Sequence, residues 1–174
     1  MDSSSNMSQM EEVEHKLTNG WVLWVHFPQD TDWTPKSYKN ICKVDTVEQV
    51  ISIIHLLPED LVKNCMLFIM KQGINPTWED PQNRNGGCFS YKITNKYVCE
   101  VWKKLTYLLV GDSISTNQAF NNSITGITIS PKKNFCIIKI WLNNCSFQNP
   151  ALVTNEIKNL SSQGCLFKKH IPEF

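Results

Sequence analysis

Three tryptophans, a pair of carboxylates and three lysines are the residues here whose types and spacing could do chemistry. Within residues 73–89, GINPTWEDPQNRNGGCF, Trp78 stands directly before Glu79 and Asp80. Pro76, Pro81 and the pair Gly86-Gly87 keep this stretch out of regular helix. An indole offers a flat, polarizable face, and carboxylates offer acceptors and negative charge. Together they suit a flat, donor-bearing, cationic ligand. The alternative is a surface loop whose tryptophan tucks into the core while its acids are solvated.

Trp33 lies in another turn-forming segment, PQDTDWTPKS, and Trp141 near the end of an expected strand. Two loop tryptophans at one end of a sheet could hold a planar base, with stacking worth about 1–3 kcal/mol per base. A cationic base adds cation–π attraction. A carboxylate beside one ring then selects the base. Guanine presents N1–H and N2–H2 as adjacent donors that one carboxylate accepts as a fork, whereas adenine and cytosine lack that pair. Lys132 and Lys133 at a hairpin tip, and Lys139 two residues before Trp141 on the same strand face, could take a phosphate chain. The other reading of these lysines is a solvated turn.

These residues need elements to position them. WVLWVHF over 21–27 alternates as a strand, and further strands are expected over 38–44, 65–71 and 87–93. Asp45-Thr46 opens a helix, with Gln49 as capping-box partner and Val47, Val50, Ile51 and Ile54 on one stripe. Pro58 ends it. A longer helix, capped by Thr94 or Asn95, runs to Val110 and is closed by Gly111. Its stripe includes Trp102, which reads as core along with Trp21 and Trp24 of the first strand. The segment 112–123 reads as a loop. A hairpin spans 124–130 and 135–142. Asn149-Pro150 starts a third helix to Leu160, and 164–169 is the last strand. Strands and hairpins without strict β-α-β alternation predict an α+β fold, its mainly antiparallel sheet covered by helices on one face.

At 174 residues, 19% charged and 41% hydrophobic, the chain suits one globular domain, residues 15–174, after a polar disordered tail over 1–14. A formal charge of +1 gives no global basic field, so polyanion binding would need a local patch. The seven cysteines form no C-x-x-C pair and no zinc spacing, which suits free, mostly buried thiols in a reducing compartment. No signal peptide is expected from MDSSSNMSQMEEVEH, and the apolar runs are too short to span a membrane.

The ordered blocks resemble the cytoplasmic cap-binding family, translation initiation factor 4E. HKLTNGWVLW from His15, Asp32-Trp33, DTVE from Asp45, GINPTWED running on to Gly86-Gly87, then Gly126 and Ile140-Trp141 all match its pattern in order. The resemblance implies a curved, mainly antiparallel β-sheet with about three helices on its convex face and a cap-binding slot on the concave side. Trp33 and Trp78 would sandwich 7-methylguanine, which N7-methylation makes cationic. Glu79 would accept N1–H and N2–H2, the Trp78 main-chain N–H would donate to O6, and Trp141 would touch the methyl group. Lys132 falls where the family grips phosphate with arginine. Ile137 stands at the second phosphate lysine, so Lys133 or Lys139 would substitute. Cys88 and Phe89 replace the arginine and tryptophan after Gly-Gly, and the segment after the last strand is short. A kept base site with an altered phosphate grip is expected.

The resemblance also implies partners: capped mRNA, and a scaffolding initiation factor or a divergent equivalent on the convex helical face. Its partner-binding positions are His15, Val47, Ile51, Lys103, Lys104, Tyr107 and Gly111. Ile51 stands in place of a tryptophan and Lys103-Lys104 in place of a Leu-Glu pair. Those changes leave open a paralogue that represses or stores transcripts, or one that serves a virus- or lineage-specific initiation complex. The implied protein is a cytoplasmic monomer with no cofactor. A nucleotide-acting enzyme would instead need clustered acids or a Cys–His pair, neither evident in the sequence.

Overall fold

The computed structural model describes residues 12–174. Of the expected tail, residues 1–11 lie outside the described residues, and 12–14 are exposed without regular structure. Seven strands form one curved antiparallel sheet: β1 (Lys16–His26), β2 (Lys39–Thr46), β3 (Met66–Lys71), β4 (Gly87–Thr94), β5 (Ile124–Pro131), β6 (Phe135–Leu142) and β7 (Leu166–Lys169). Their order across the sheet is β2-β1-β3-β5-β6-β4-β7. The α+β class is as expected.

Period-two alternation assigns the two faces. Leu23, Ile69, Ile127 and Ile140 pair in one row across β1, β3, β5 and β6. This row points to the helices α1 (Val47–Leu56), α2 (Glu59–Asn64), α3 (Val98–Val110) and α4 (Gln118–Ser123), joining one core with Val50, Trp102, Leu105 and Leu109. Shifted by one residue, Trp24, Phe68, Thr128 and Lys139 form the next row, on the face the helices leave open. A one-residue slip would exchange these sets, so the buried row fixes the register.

The capping box at α1 forms as expected: Gln49 N–H donates to Thr46 Oγ1 at 3.2 Å, and Gln49 Oε1 accepts from Thr46 N–H at 3.3 Å. Three expectations need correction. Helix α3 starts at Val98 with Tyr97 as N-cap, because Thr94 stays in the β4 ladder opposite Phe135. The third long helix does not form; residues 149–160 hold only a single 3-10 turn, Pro150–Leu152. Thr154 N–H goes instead to Ile114 O at 2.8 Å, Thr154 Oγ1 accepts from Glu156 N–H, and Asn159 takes φ of 71°. Local and tertiary partners thus outcompete the helical ladder. Two short helices were missed: α2, entered through Pro58, and α4, capped by Asn117, whose Oδ1 accepts from Phe120 N–H.

All seven cysteines are free, with Cys65, Cys88 and Cys136 buried and the other four half-buried, so fewer are enclosed than expected. Among the described residues no helix is long and apolar enough to cross a membrane. Nor do any three or more metal-ligating side chains gather there.

Candidate functional site

The open face carries a slot of about 280 Å³. Trp33, Trp78, Glu79, Lys139 and Trp141, all singled out by sequence, line it together with Tyr38, Met66, Phe68 and Thr128. The floor follows from the sheet register. Trp141 pairs with Gly126 on one side and Cys88 on the other, and it is 4% exposed. Its Nε1–H donates to Thr128 Oγ1 at 3.2 Å, which satisfies the polar end of a buried indole. Gly126 is required here, since a Cβ would stand 2.4 Å from Ile69 O. Trp24, expected in the main core, instead packs half-buried with Phe68, Met70, Cys88 and Trp141 beneath the slot.

The two loop tryptophans are each backed by an imidazole. Trp33, 59% exposed, stacks on His26 with centroids 4.0 Å apart and planes at 2°. His26 is buried and hydrogen-bonds Asp32 O at 2.8 Å, fixing the loop that carries the ring. Trp78 stacks on His170 at 5.6 Å and 14°, and His170 also lies 4.9 Å from Trp141. His170 Nδ1–H donates to Asn83 O at 2.7 Å, while burial lowers the imidazole pKa and favours the neutral ring.

The Trp78 loop is built by its polar side chains. Asp80 is buried; its Oδ2 accepts from Asn75 N–H at 2.8 Å and its Oδ1 from Gln82 N–H at 2.9 Å. Asn83, fully buried, donates through Nδ2 to Asn75 O and Thr77 O at 3.1 and 2.9 Å. Asp80 therefore shapes the loop, and Glu79 is the acid left to face the slot. Glu79 also raises the Tyr38 phenol, which burial first and then this negative charge push up to about 12. At Gly86 a Cβ would sit 1.7 Å from Leu142 O, so the loop can rejoin the sheet only through glycine.

The three lysines separate. Lys139 lines the slot, its Nζ 6.0 Å from the Trp78 ring centroid. Lys132 and Lys133 are exposed at the β5–β6 tip and do not line it. Sequence reasoning passed over Lys168, which pairs with Cys88 in the row that contains Trp141. It also passed over Tyr38, Met66, Phe68 and His170. For Met66 and Phe68 the signal was available, since they alternate with Leu67 and Ile69 of the core. For His170 nothing local marked it.

On the helical face, Val47 and Ile51 of α1 are 38% and 42% exposed. Lys103, Lys104 and Gly111 are exposed and Tyr107 is half-buried. Lys104 pairs with Glu100 at 2.9 Å, leaving Lys103 beside a hollow of about 280 Å³ formed with Ile54, Leu57 and Val62. His15 is tied to the start of α1: its carbonyl accepts from Val47 N–H at 2.8 Å, and its ring Nδ1 lies 2.6 Å from Glu48 Oε1. Gly111 is the C-cap of α3 with a negative φ, and the left-handed residue is the following Asp112, at φ 51°.

The open face of the curved antiparallel sheet thus gathers aromatic planes and a carboxylate, an arrangement whose shape and chemistry suit a flat, donor-bearing ligand. Residues 16–171 match the family model described as eukaryotic initiation factor 4E, and the chain belongs to that family. An initiation factor 4E homolog of Acanthamoeba polyphaga mimivirus is 29% identical over 157 residues, 78% of this chain and 54% of its own length. Initiation factor 4E-2 of Schizosaccharomyces pombe is 31% identical over 142 residues, 76% of this chain and 55% of its own. The chain thus spans little more than half of these relatives. Among solved structures, Schistosome eIF4E complexed with m7GpppG and 4E-BP matches with TM-score 0.70 at 25% identity. That match covers 78% of this chain and 75% of the other. C. elegans eIF4E-3, in complex with the 4E-binding protein Mextli and cap analog, gives TM-score 0.69 at 22% identity over 77% of each chain.

Proposed function

We propose that this chain binds the 7-methylguanosine cap of mRNA in translation initiation, as a binding protein that turns nothing over. The observation that carries the reading is the convergence of Trp33, Trp78, Glu79 and Trp141 on one slot in a chain of this family. Trp33 and Trp78 hold the cationic base between their faces, and Trp141 forms the floor against the methyl group. Glu79 accepts N1–H and N2–H2, and the Trp78 main-chain N–H donates to O6. Lys139 takes the phosphates, while Lys132 and Lys133 stand exposed outside the slot lining. No cofactor enters this scheme.

The exposed patch of Val47 and Ile51, with Lys103, Lys104, Tyr107 and His15, is the proposed docking face for a scaffolding partner. Lysines in place of a Leu-Glu pair favour a partner segment with acidic residues. The protein then works as a cytoplasmic monomer that bridges capped mRNA and that partner. Retention on immobilised 7-methyl-GTP, released by free 7-methyl-GTP and not by GTP, is the expected result. Passage through that resin, or equal release by both nucleotides, would refute the reading.

A further inference from the structure

The slot already contains part of the chain. After β7, His170 N–H donates to Gly86 O at 2.9 Å, which turns residues 171–174 back across the mouth. There Glu173 N–H donates to Glu79 Oε1 at 3.1 Å, and Arg84 Nη2 donates to Phe174 O at 3.4 Å. Glu173 and Phe174 line the same slot as Trp33 and Trp78. The acceptor assigned to guanine N1–H and N2–H2 is thus occupied by a peptide N–H, a donor of the same kind.

This contact is built to be given up. Ile171 and Phe174 are 72% and 79% exposed, so almost no apolar burial holds the segment down. Its anchor, by contrast, is firm, because His170 is buried against Trp78 and Trp141 and bonded to Asn83 and Gly86. Residues held this close to a fixed anchor stay at high effective concentration beside Glu79. Glu173 also places a carboxylate in the slot where a triphosphate would carry several negative charges.

Resting on the cap-binding reading, we propose that residues 171–174 are a tethered competitor for the Glu79 acceptor, displaced when the base enters. A base that offers both donors of the fork regains what the tail gives up, and a cationic ring adds stacking that the tail lacks. A neutral or single-donor base does not displace it efficiently. The segment therefore lowers affinity for every nucleotide that needs the Glu79 acceptor by the same factor and leaves the preference among them unchanged.

The test compares wild type with Glu173→Pro, which removes the N–H at unchanged length, and with a variant lacking 171–174. Both should bind 7-methyl-GTP about three- to tenfold more tightly, as expected when the competent fraction of a binding site rises by that factor. Glu173→Gln, which keeps the N–H, should gain less. In wild type, the Glu173 amide should lose protection from hydrogen exchange on adding 7-methyl-GTP. Binding by wild type with no gain in either variant, or a Glu173 amide still protected in the complex, overturns the competitor role alone. Failure of wild type and both variants to bind 7-methyl-GTP would overturn the cap reading, and this role with it.

Discussion

Replacing Glu79 by alanine removes the acid beside Trp78 in the slot while leaving the loop intact. Glu79 is half-buried, and its one hydrogen bond joins it to Glu173 N–H and not to the loop, which Asp80 and Asn83 hold. In the complex two buried guanine donors then lack an acceptor, at about 1–3 kcal/mol each. Against that, the variant no longer has to release the tail, which returns about 1 kcal/mol, the usual net value of one hydrogen bond. The difference is about 3 kcal/mol, on the order of a hundredfold in Kd for 7-methyl-GTP. Calorimetric titration reads the Kd, and thermal unfolding of the free protein should be nearly unchanged. A loss of less than about threefold, with the fold intact, would refute Glu79 as the guanine reader.

Asp80→Ala should behave oppositely to Glu79→Ala, because two main-chain N–H groups lose a charged acceptor. A stability loss of about 2–3 kcal/mol in denaturant unfolding is expected, with weaker cap binding as a consequence of a loosened loop. Lys139→Ala should weaken 7-methyl-GTP more than the 7-methylguanosine nucleoside and flatten the salt dependence by about one unit of slope, whereas Lys132→Ala should do neither. Hydrogen bonds from the His15 ring and main chain hold the Glu48 carboxyl down from 4.5 to about 2. A depressed folded value adds stability above the unfolded value and loses it as pH falls through the folded one. The melting difference between wild type and Glu48→Gln should therefore hold above pH 4.5 and fade towards about pH 2.

Much of the site was legible because its chemistry is concentrated in a few residue types. Trp33, Trp78, Glu79 and Trp141 were singled out by side-chain type, loop position and the family resemblance, and the slot does gather them. The lysines were harder, since a charge at a hairpin tip says nothing about which way the tip points. Only the β6 alternation, which puts Lys139 on the face of Trp141, distinguished it from Lys132 and Lys133. Strand positions and the capping box of α1 followed from period and cap chemistry. The expected helix over 149–160 failed because Val153, Ile157 and Leu160 can also be buried from irregular backbone. There the Asn149-Pro150 cap on which the expectation rested serves only the short 3-10 turn Pro150–Leu152. His170 and Glu173 lie 87 and 94 residues from their partners Asn83 and Glu79, so no local pattern could announce them.

The central claim is that a cationic base lies between Trp33 and Trp78. Titrating intrinsic tryptophan fluorescence with 7-methyl-GTP and, separately, with GTP tests it most directly. Strong, saturable quenching by 7-methyl-GTP with little response to GTP is the predicted result, and Trp33→Leu should remove most of that quenching. Equal quenching by both nucleotides, or an undiminished response in Trp33→Leu, would contradict it.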